Sequence, residues 1–505
     1  MKISACLFLC LFITIQVLAQ NSPSADYREE HRPQFHFSPP AKWMNDPNGL
    51  VYYEGEYHLF YQYYPEATVW GPMHWGHAVS KDLLRWENLP IALFPDKHGY
   101  IFSGSAVIDS KNTSGFKQGP NAPMVAMFTY HLMEGEKAGK SDFQTQGIAY
   151  SNDKGRTWTK YEGNPVIRNE SGIRDFRDPK VFWHEASGQW VMILAAGDRA
   201  HIYNSPDLKS WTKASEFGPG QGAPGKPWEC PDLFELTADG KSRWVMLVSL
   251  GNGAPNGGSG TEYFVGTFDG KTFKNDNPAS TTLWVDHGTD NYAGVTWNNA
   301  PYGRRLFIGW MSNWAYSQKV PTEKWRSVMT LPRELSLFKS GNLTLLASKP
   351  VKEVEKLRKS RFVLDMKKPY HATSALQEVL LEIDLSKTTS TDIGLEISNK
   401  KGEKIIVGFD VKAGQFYIDR TEAGKRTFSD VFAARHTAKR VSGSNIMKMR
   451  LLLDTSTAEL FADDGSVVMS DIFFPNEDFK TLKLLQNTGS LKVIKAEGFE
   501  LKGTW

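Results

Sequence analysis

The chain has almost no cysteine. Of its three, Cys6 and Cys10 lie within the first twenty residues, MKISACLFLCLFITIQVLAQ. That segment carries one Lys, an apolar run and the small residue Ala19 two positions after Val17, and reads as an export signal over residues 1–20. Cys10 has too short an apolar stretch before it to serve as a lipid-attachment site. On this reading Cys230 is alone in the exported chain, so no internal disulfide can form and stability must come from core burial. Long hydrophobic runs are also missing. The N-terminal run is short for a spanning helix and no second one follows, so no membrane span is expected once the signal is removed. Nor does charge of one sign accumulate: 59 basic against 56 acidic side chains leave a formal +3. Without a basic stripe or an acidic tail, nucleic acid is excluded as a partner and a neutral ligand fits best.

What the chain does have is period-two alternation between turn signals, as in GLVYYEGEYHLFYQY, RWVMLVSLGNG and EYFVGTFDG. A local pattern recurs: AVSKDLLRWENL, AYSNDKGRTWTKY, IYNSPDLKSWTKA and the weaker GTFDGKTFKND, each a strand, a Ser/Asp turn and an aromatic opening the next strand. Several-stranded units repeating this way predict a β-propeller, whose strand ends meet at a central funnel. The charged segment KPVKEVEKLRKSRF reads as a linker helix with a solvated face. Beyond Arg361 short alternating strands predict a sandwich of two antiparallel sheets. The expected layout is therefore all-β: a propeller over 21–345, a linker over 346–360 and a sandwich over 361–505.

Three acidic residues share one setting. Asp46 in WMNDPNG, Asp178 in FRDPK and Glu229 in WECPD each lie beside a Pro, with an aromatic within three positions, in different expected blades. Singly these are ordinary turn punctuation. Together they suit glycoside hydrolysis, which in its retaining form needs a carboxylate nucleophile and a carboxylic acid roughly 5 to 5.5 Å apart. Glu229, between Trp228 and Cys230, has the more apolar local sequence and is the expected acid, raised by burial. Asp46, flanked by Asn45 and Asn48, is the expected ionised partner. Trp43, Trp70, Trp75, Phe102, Trp228, Trp310 and Trp314 supply rings for sugar faces, and Asn45, Gln62, Ser103 and Arg177 supply hydrogen-bonding groups for a hydroxyl-rich ligand.

These motifs, WMNDPNG, FSGSAV, FRDP, WECPDLF, WMSNW and LPREL in that order, resemble glycoside hydrolase family 32, the β-fructosidases, and STAELFADDGSVVMSDIFFP resembles its C-terminal domain. The resemblance implies a five-bladed propeller followed by a β-sandwich, and hydrolysis of fructofuranosyl bonds with retention, without metal or cofactor. It implies Asp46 as nucleophile, Glu229 as general acid and base, and Asp178 as transition-state stabiliser. It also implies a fructose subsite of Asn45, Gln62, Trp70, Phe102, Ser103, Arg177, Asp290 and Trp310 or Trp314. DHGTDNYAG departs from the family's usual run, with Asn291 where an aromatic is common, which weakens the assignment of Asp290. The implied partner is a fructan or fructo-oligosaccharide, met in the periplasm or outside the cell.

Three other readings stay open on sequence alone. An inverting five-bladed arabinan-degrading enzyme would need carboxyls about 6.5 to 9.5 Å apart. A fructosyltransferase would share the covalent intermediate, and a non-catalytic fructan-binding protein would share the pocket. Levan, inulin and sucrose are not distinguished, nor is cutting from chain ends or interiors.

Overall fold

One five-stranded sheet, four four-stranded antiparallel sheets and two six-stranded sheets account for the architecture seen in the computed structural model, which describes residues 26–238, 240–486 and 489–505. The expected export signal lies outside the described residues. Among those residues no helix is long and apolar enough to cross a membrane.

The first strands of the five blades are Lys42–Tyr53, Tyr100–Ile108, Phe176–His184, Trp228–Ala238 and Tyr292–Thr296. Each packs against the first strands of its neighbours, the fifth returning to the first, so these five line the propeller axis. The ring is closed by backbone hydrogen bonds from Asn298 N to Leu50 O and from Tyr52 N to Asn298 O. A parallel pairing of Trp325–Arg326 with Lys42–Trp43 adds to that closure. Trp43, Trp75, Trp297 and Trp310 are fully buried, each worth roughly 2–3 kcal/mol of apolar burial.

The repeated Ser/Asp pattern is the hairpin between the third and fourth strands of blades one to four. Asp82 Oδ1 accepts from the N–H groups of Leu84 and Arg85. Asp207 and Asp269 do the same in blades three and four, and in blade two Asp153 Oδ1 accepts from Thr157 N, four residues on. The Asp side chain satisfies turn amides that no ladder reaches, and this is why the sequence repeats there.

The fifth blade ends with Leu343–Pro350, so the expected boundary at 345 falls inside a strand. The expected linker helix is a 3-10 segment, Lys352–Leu357, with Val354 and Leu357 buried. Only a few residues separate Pro350 from the first sandwich strand, Arg358–Val363, which leaves no length for an α-helix. The sandwich core, from Val379, Leu381 and Ile383 on one sheet to Ile393, Leu395 and Ile397 on the other, is separate from the propeller cores.

A buried polar seam joins the two domains. Asp290 N donates to Ser470 O and His287 N to Val468 O, laying 286–290 along strand Val467–Ile472. Arg420 Nη1 reaches Asp290 Oδ2 at 2.7 Å. Arg333 links Asp286 at 2.8 Å with Glu459 at 2.5 Å, and Glu459 also contacts His36 Nε2 at 2.9 Å.

Candidate active site

WMNDPNG is not a connection between strands. It lies inside the twelve-residue strand Lys42–Tyr53 and breaks its register twice, between Met44 and Pro47 and between Asn48 and Val51. The other inner strands break at matching places, around Phe102–Ser103, Asp178–Pro179, Cys230–Pro231 and Ala293–Gly294. A bulge adds an unpaired residue and re-aims its neighbours. Asp178, Cys230 and Ala293 have φ of 66°, 44° and 53°, backbone that non-glycine residues rarely adopt. At Gly49, with φ of 58°, a Cβ would come within 2.6 Å of the Phe60 ring. The prolines in DP, DP and CP therefore mark places where the ladder has already lost a donor.

These bulges bring the three carboxylates to one pocket of about 270 Å³ at the N-terminal ends of the inner strands. Asn45, Gln62, Trp70, Phe102, Ser103, Arg177 and Trp314 line it as well. Trp43 Nε1 donates to Asn45 Oδ1 at 2.7 Å, which turns the Asn45 amide so that Nδ2 donates to Asp46 Oδ1 at 3.0 Å. Ser103 Oγ donates to Asp46 Oδ2 at 2.8 Å. Asn48, expected to help hold Asp46, has a buried side-chain amide with no partner among the described residues. Burial pushes the Asp46 carboxyl up, and the charge of Glu229 adds to that. The donors on Asn45, Ser103 and Cys230 pull it back.

Glu229 is not in the apolar setting its neighbours suggested. Its Oε1 accepts from Arg177 Nε at 3.2 Å and Nη2 at 2.9 Å, and its Oε2 accepts from the Tyr292 hydroxyl. Trp228 turns away from it into the apolar core of the neighbouring strands, and at the bulge Cys230 turns its thiol toward Asp46 and Asp178, so the setting of Glu229 is polar despite its sequence neighbours. Arg177 also donates to Asp175 Oδ1 at 2.6 Å. Asp178 Oδ2 accepts from Cys230 N at 2.9 Å, and Asp178 N donates to Thr129 Oγ1 at 2.9 Å. Burial pushes Asp178 up to about 7: Arg177 and the Cys230 N–H oppose the shift, while the charges of Glu229 and Asp46 add to it.

Two expected subsite residues stand elsewhere. Asp290 is fully buried in the interdomain seam, on Arg420, Tyr316 and the Ile472 N–H. Trp310 is fully buried behind the pocket, 4.8 Å from the Trp314 ring and 6.0 Å from the Trp43 ring, so of the WMSNW pair Trp314 faces the cavity. Sequence reasoning missed Tyr292, Cys230, His131, Glu136, Gln144 and Asp175. Cys230 Sγ lies 3.5 Å from Asp46 Oδ2 and 3.6 Å from Asp178 Oδ2. His131 stacks on Phe102 at 4.2 Å and contacts Glu136 at 3.0 Å, fixing the short helix Met133–Lys137 at the rim. The CP dipeptide was a signal for Cys230; a tyrosine opening a strand was none for Tyr292.

Residues 36–350 match the family described as "Glycosyl hydrolases family 32 N-terminal domain", and residues 343–500 match "Glycosyl hydrolases family 32 C terminal". The chain is 48% identical to the levanase of Bacillus subtilis (strain 168), over 100% of this chain and 75% of that one. It is 37% identical to an extracellular exo-inulinase of Aspergillus awamori, over 95% and 96% of the two chains. The crystal structure of exo-inulinase from that organism superposes with a TM-score of 0.88 at 34% identity, covering 95% of this chain and 100% of that one. A β-fructofuranosidase from Schwanniomyces occidentalis, complexed with fructosyl-erythritol, superposes at 0.84 and 34% identity, covering 95% and 99%.

Proposed function

The chain belongs to glycosyl hydrolase family 32, and from that premise we propose how this site works on the β-fructofuranosyl bonds of fructans, which the chain hydrolyses as a glycoside hydrolase. Asp46 attacks the anomeric carbon of a terminal fructosyl unit while Glu229 gives its proton to the departing oxygen. The bond to the leaving sugar breaks as the Asp46 ester forms. Water then enters, Glu229 takes its proton, and the ester is hydrolysed to free fructose with net retention. Arg177 and Tyr292 hold the Glu229 carboxyl by one oxygen each. Asp178, buried beside both, is placed to hydrogen-bond fructosyl hydroxyls as charge develops on the ring. Trp70, Phe102 and Trp314 give the sugar its apolar walls.

The observation that carries this reading is the pairing of Asp46 and Glu229 across one small pocket whose floor is closed. Below it, Lys180 Nζ lies 3.2 Å from Asp232 Oδ2, and Asn298 Nδ2 spans to Ala106 O and Val181 O. A closed floor suits one chain end, so we assign exo action on a polymeric fructan, and the 48% identity to a protein named levanase supports levan before inulin. Work beyond the cytoplasmic membrane belongs to the same proposal, supported by the N-terminal signal pattern and by a relative named extracellular. A time course on levan and on inulin, resolved by chain length, tests it. Fructose alone from the earliest point is expected; a ladder of oligosaccharides would rule out exo action.

A further inference from the structure

The inner strands place a second cavity at the opposite mouth of the propeller. Asp46, Ser103, Asp178 and Glu229 sit near the starts of their strands. Ile108, Trp183 and Glu235 sit toward the ends of three of the same strands and line a cavity of about 350 Å³. Five residues of strand separate Asp178 from Trp183, roughly 16 Å of rise. Between the mouths the axis is blocked by the Lys180–Asp232 pair, by Thr296, whose N–H donates to Asp232 Oδ2 at 2.6 Å, and by Asn298. Nothing bound at the far mouth can reach Asp46.

The walls of this cavity are aromatic: Phe182, Trp183, Trp190, Phe234 and Trp244. Phe182, Trp183 and Trp244 are only partly buried. The polar lining is balanced in charge, Lys111 and Arg305 against Glu185 and Glu235. Arg305 lies over the Phe234 ring at 5.1 Å. Among the described residues its side chain has neither an ion pair nor a hydrogen bond, and its buried Nε is without a partner. Lys111 lies over the Trp183 ring at 4.3 Å and 3.9 Å from Glu185, both charged side chains well exposed at the rim.

Rings for apolar sugar faces, two cationic and two anionic side chains to hydrogen-bond hydroxyls, and no net charge describe a site for a neutral polyhydroxylated ligand. A phosphate or a peptide of one charge would leave one pair of rim charges opposed. We propose that the far mouth of the propeller is a non-catalytic binding site for a segment of the fructan chain, which tethers the polymer while a chain end is cut at the other mouth. The identity of the sugar rests on the function proposed above; the site itself rests on the cavity.

The test separates the two. Glu229→Gln is run through native gels containing levan, inulin or dextran, alone and with Arg305→Ala or Trp183→Ala added. Arg305→Ala breaks no ion pair or hydrogen bond among the described residues and uncovers only the Phe234 ring, and a thermal melt of the variant checks that the fold is kept. Retardation by fructan is expected for Glu229→Gln, weakened at least threefold by either far-mouth substitution. In the otherwise wild-type chain, Arg305→Ala should leave turnover of the trisaccharide 1-kestose unchanged and raise KM for the polymer at least threefold. Retardation that is the same with and without the far-mouth substitutions overturns the site, and equal retardation by dextran overturns its assignment to fructan. Absence of fructose release by the unaltered chain would overturn the parent function, and the gels would still decide whether the far mouth binds.

Discussion

Arg177 places two donors on a single oxygen of Glu229, Nε at 3.2 Å and Nη2 at 2.9 Å. The other oxygen is held by the Tyr292 hydroxyl. Burial pushes Tyr292 well above its ordinary range, so that hydroxyl stays a donor. A carboxyl fixed from both sides cannot swing away as its proton moves, and this couples blades three, four and five at the reacting bond.

Glu229→Gln should lower kcat on 1-kestose by about 10³-fold, within the range for loss of a general acid. With fructosyl fluoride, whose leaving group needs no proton, the first step should survive and the second should stall. A fructosyl adduct on the peptide carrying Asp46 is then expected by mass spectrometry. No adduct should form with Asp46→Asn, and an adduct elsewhere would move the nucleophile.

Asp178→Asn should lose activity and gain stability. The native Asp178 carboxyl is raised to about 7, so the stability linked to its proton is present below the unfolded value and is lost as pH rises through about 7. At pH 8 the wild-type chain carries a cost on the order of 2–4 kcal/mol that Asn does not. Urea unfolding at pH 8 should show the variant more stable, with the gap closing toward pH 4.

Cys230 should resist alkylation in the folded protein. Burial pushes its thiol well above its usual range, and the negative charges of Asp178, Asp46 and Glu229 add to the shift. The thiolate is the reactive form. Iodoacetamide at pH 8 should label it only after unfolding, and labelling at the rate of a free thiol would contradict this environment.

His36 should make the chain less stable in alkali. Burial disfavours its charged ring, but hydrogen bonds to Asp454 and Glu459 outweigh burial and raise it to about 9. That contribution is complete below the unfolded value near 6.5 and disappears as pH rises through about 9. It amounts to something on the order of 2–3 kcal/mol. Comparing unfolding at pH 6 and pH 10, His36→Asn should shrink the loss seen in the wild type by roughly that amount.

Asp290 should matter for stability and not for the sugar. Arg420→Met leaves the Asp290 carboxylate buried without its cation, at a cost of about 3–5 kcal/mol. Melting should fall by several degrees while KM for 1-kestose, measured well below the transition, stays the same. A selective rise in KM would return Asp290 to the subsite.

Much of this protein was legible in one dimension. Alternation is set by each strand's own two faces, and the Ser/Asp hairpins satisfy their amides locally, so both the all-β class and the blade repeat are written in short windows of sequence. The carboxylates were legible as well, because proline marks the bulge that carries each of them. Tertiary structure decided the rest. Whether Trp310 or Trp314 meets the ligand depends on which ring the fifth blade turns inward. Whether Asp290 faces sugar or Arg420 depends on a sandwich strand 180 residues later, Val467–Ile472. Tyr292 reaches Glu229 only because the inner strands of blades four and five pack side by side. Those contacts join residues from different blades and domains, and their energies come from groups that no local window contains.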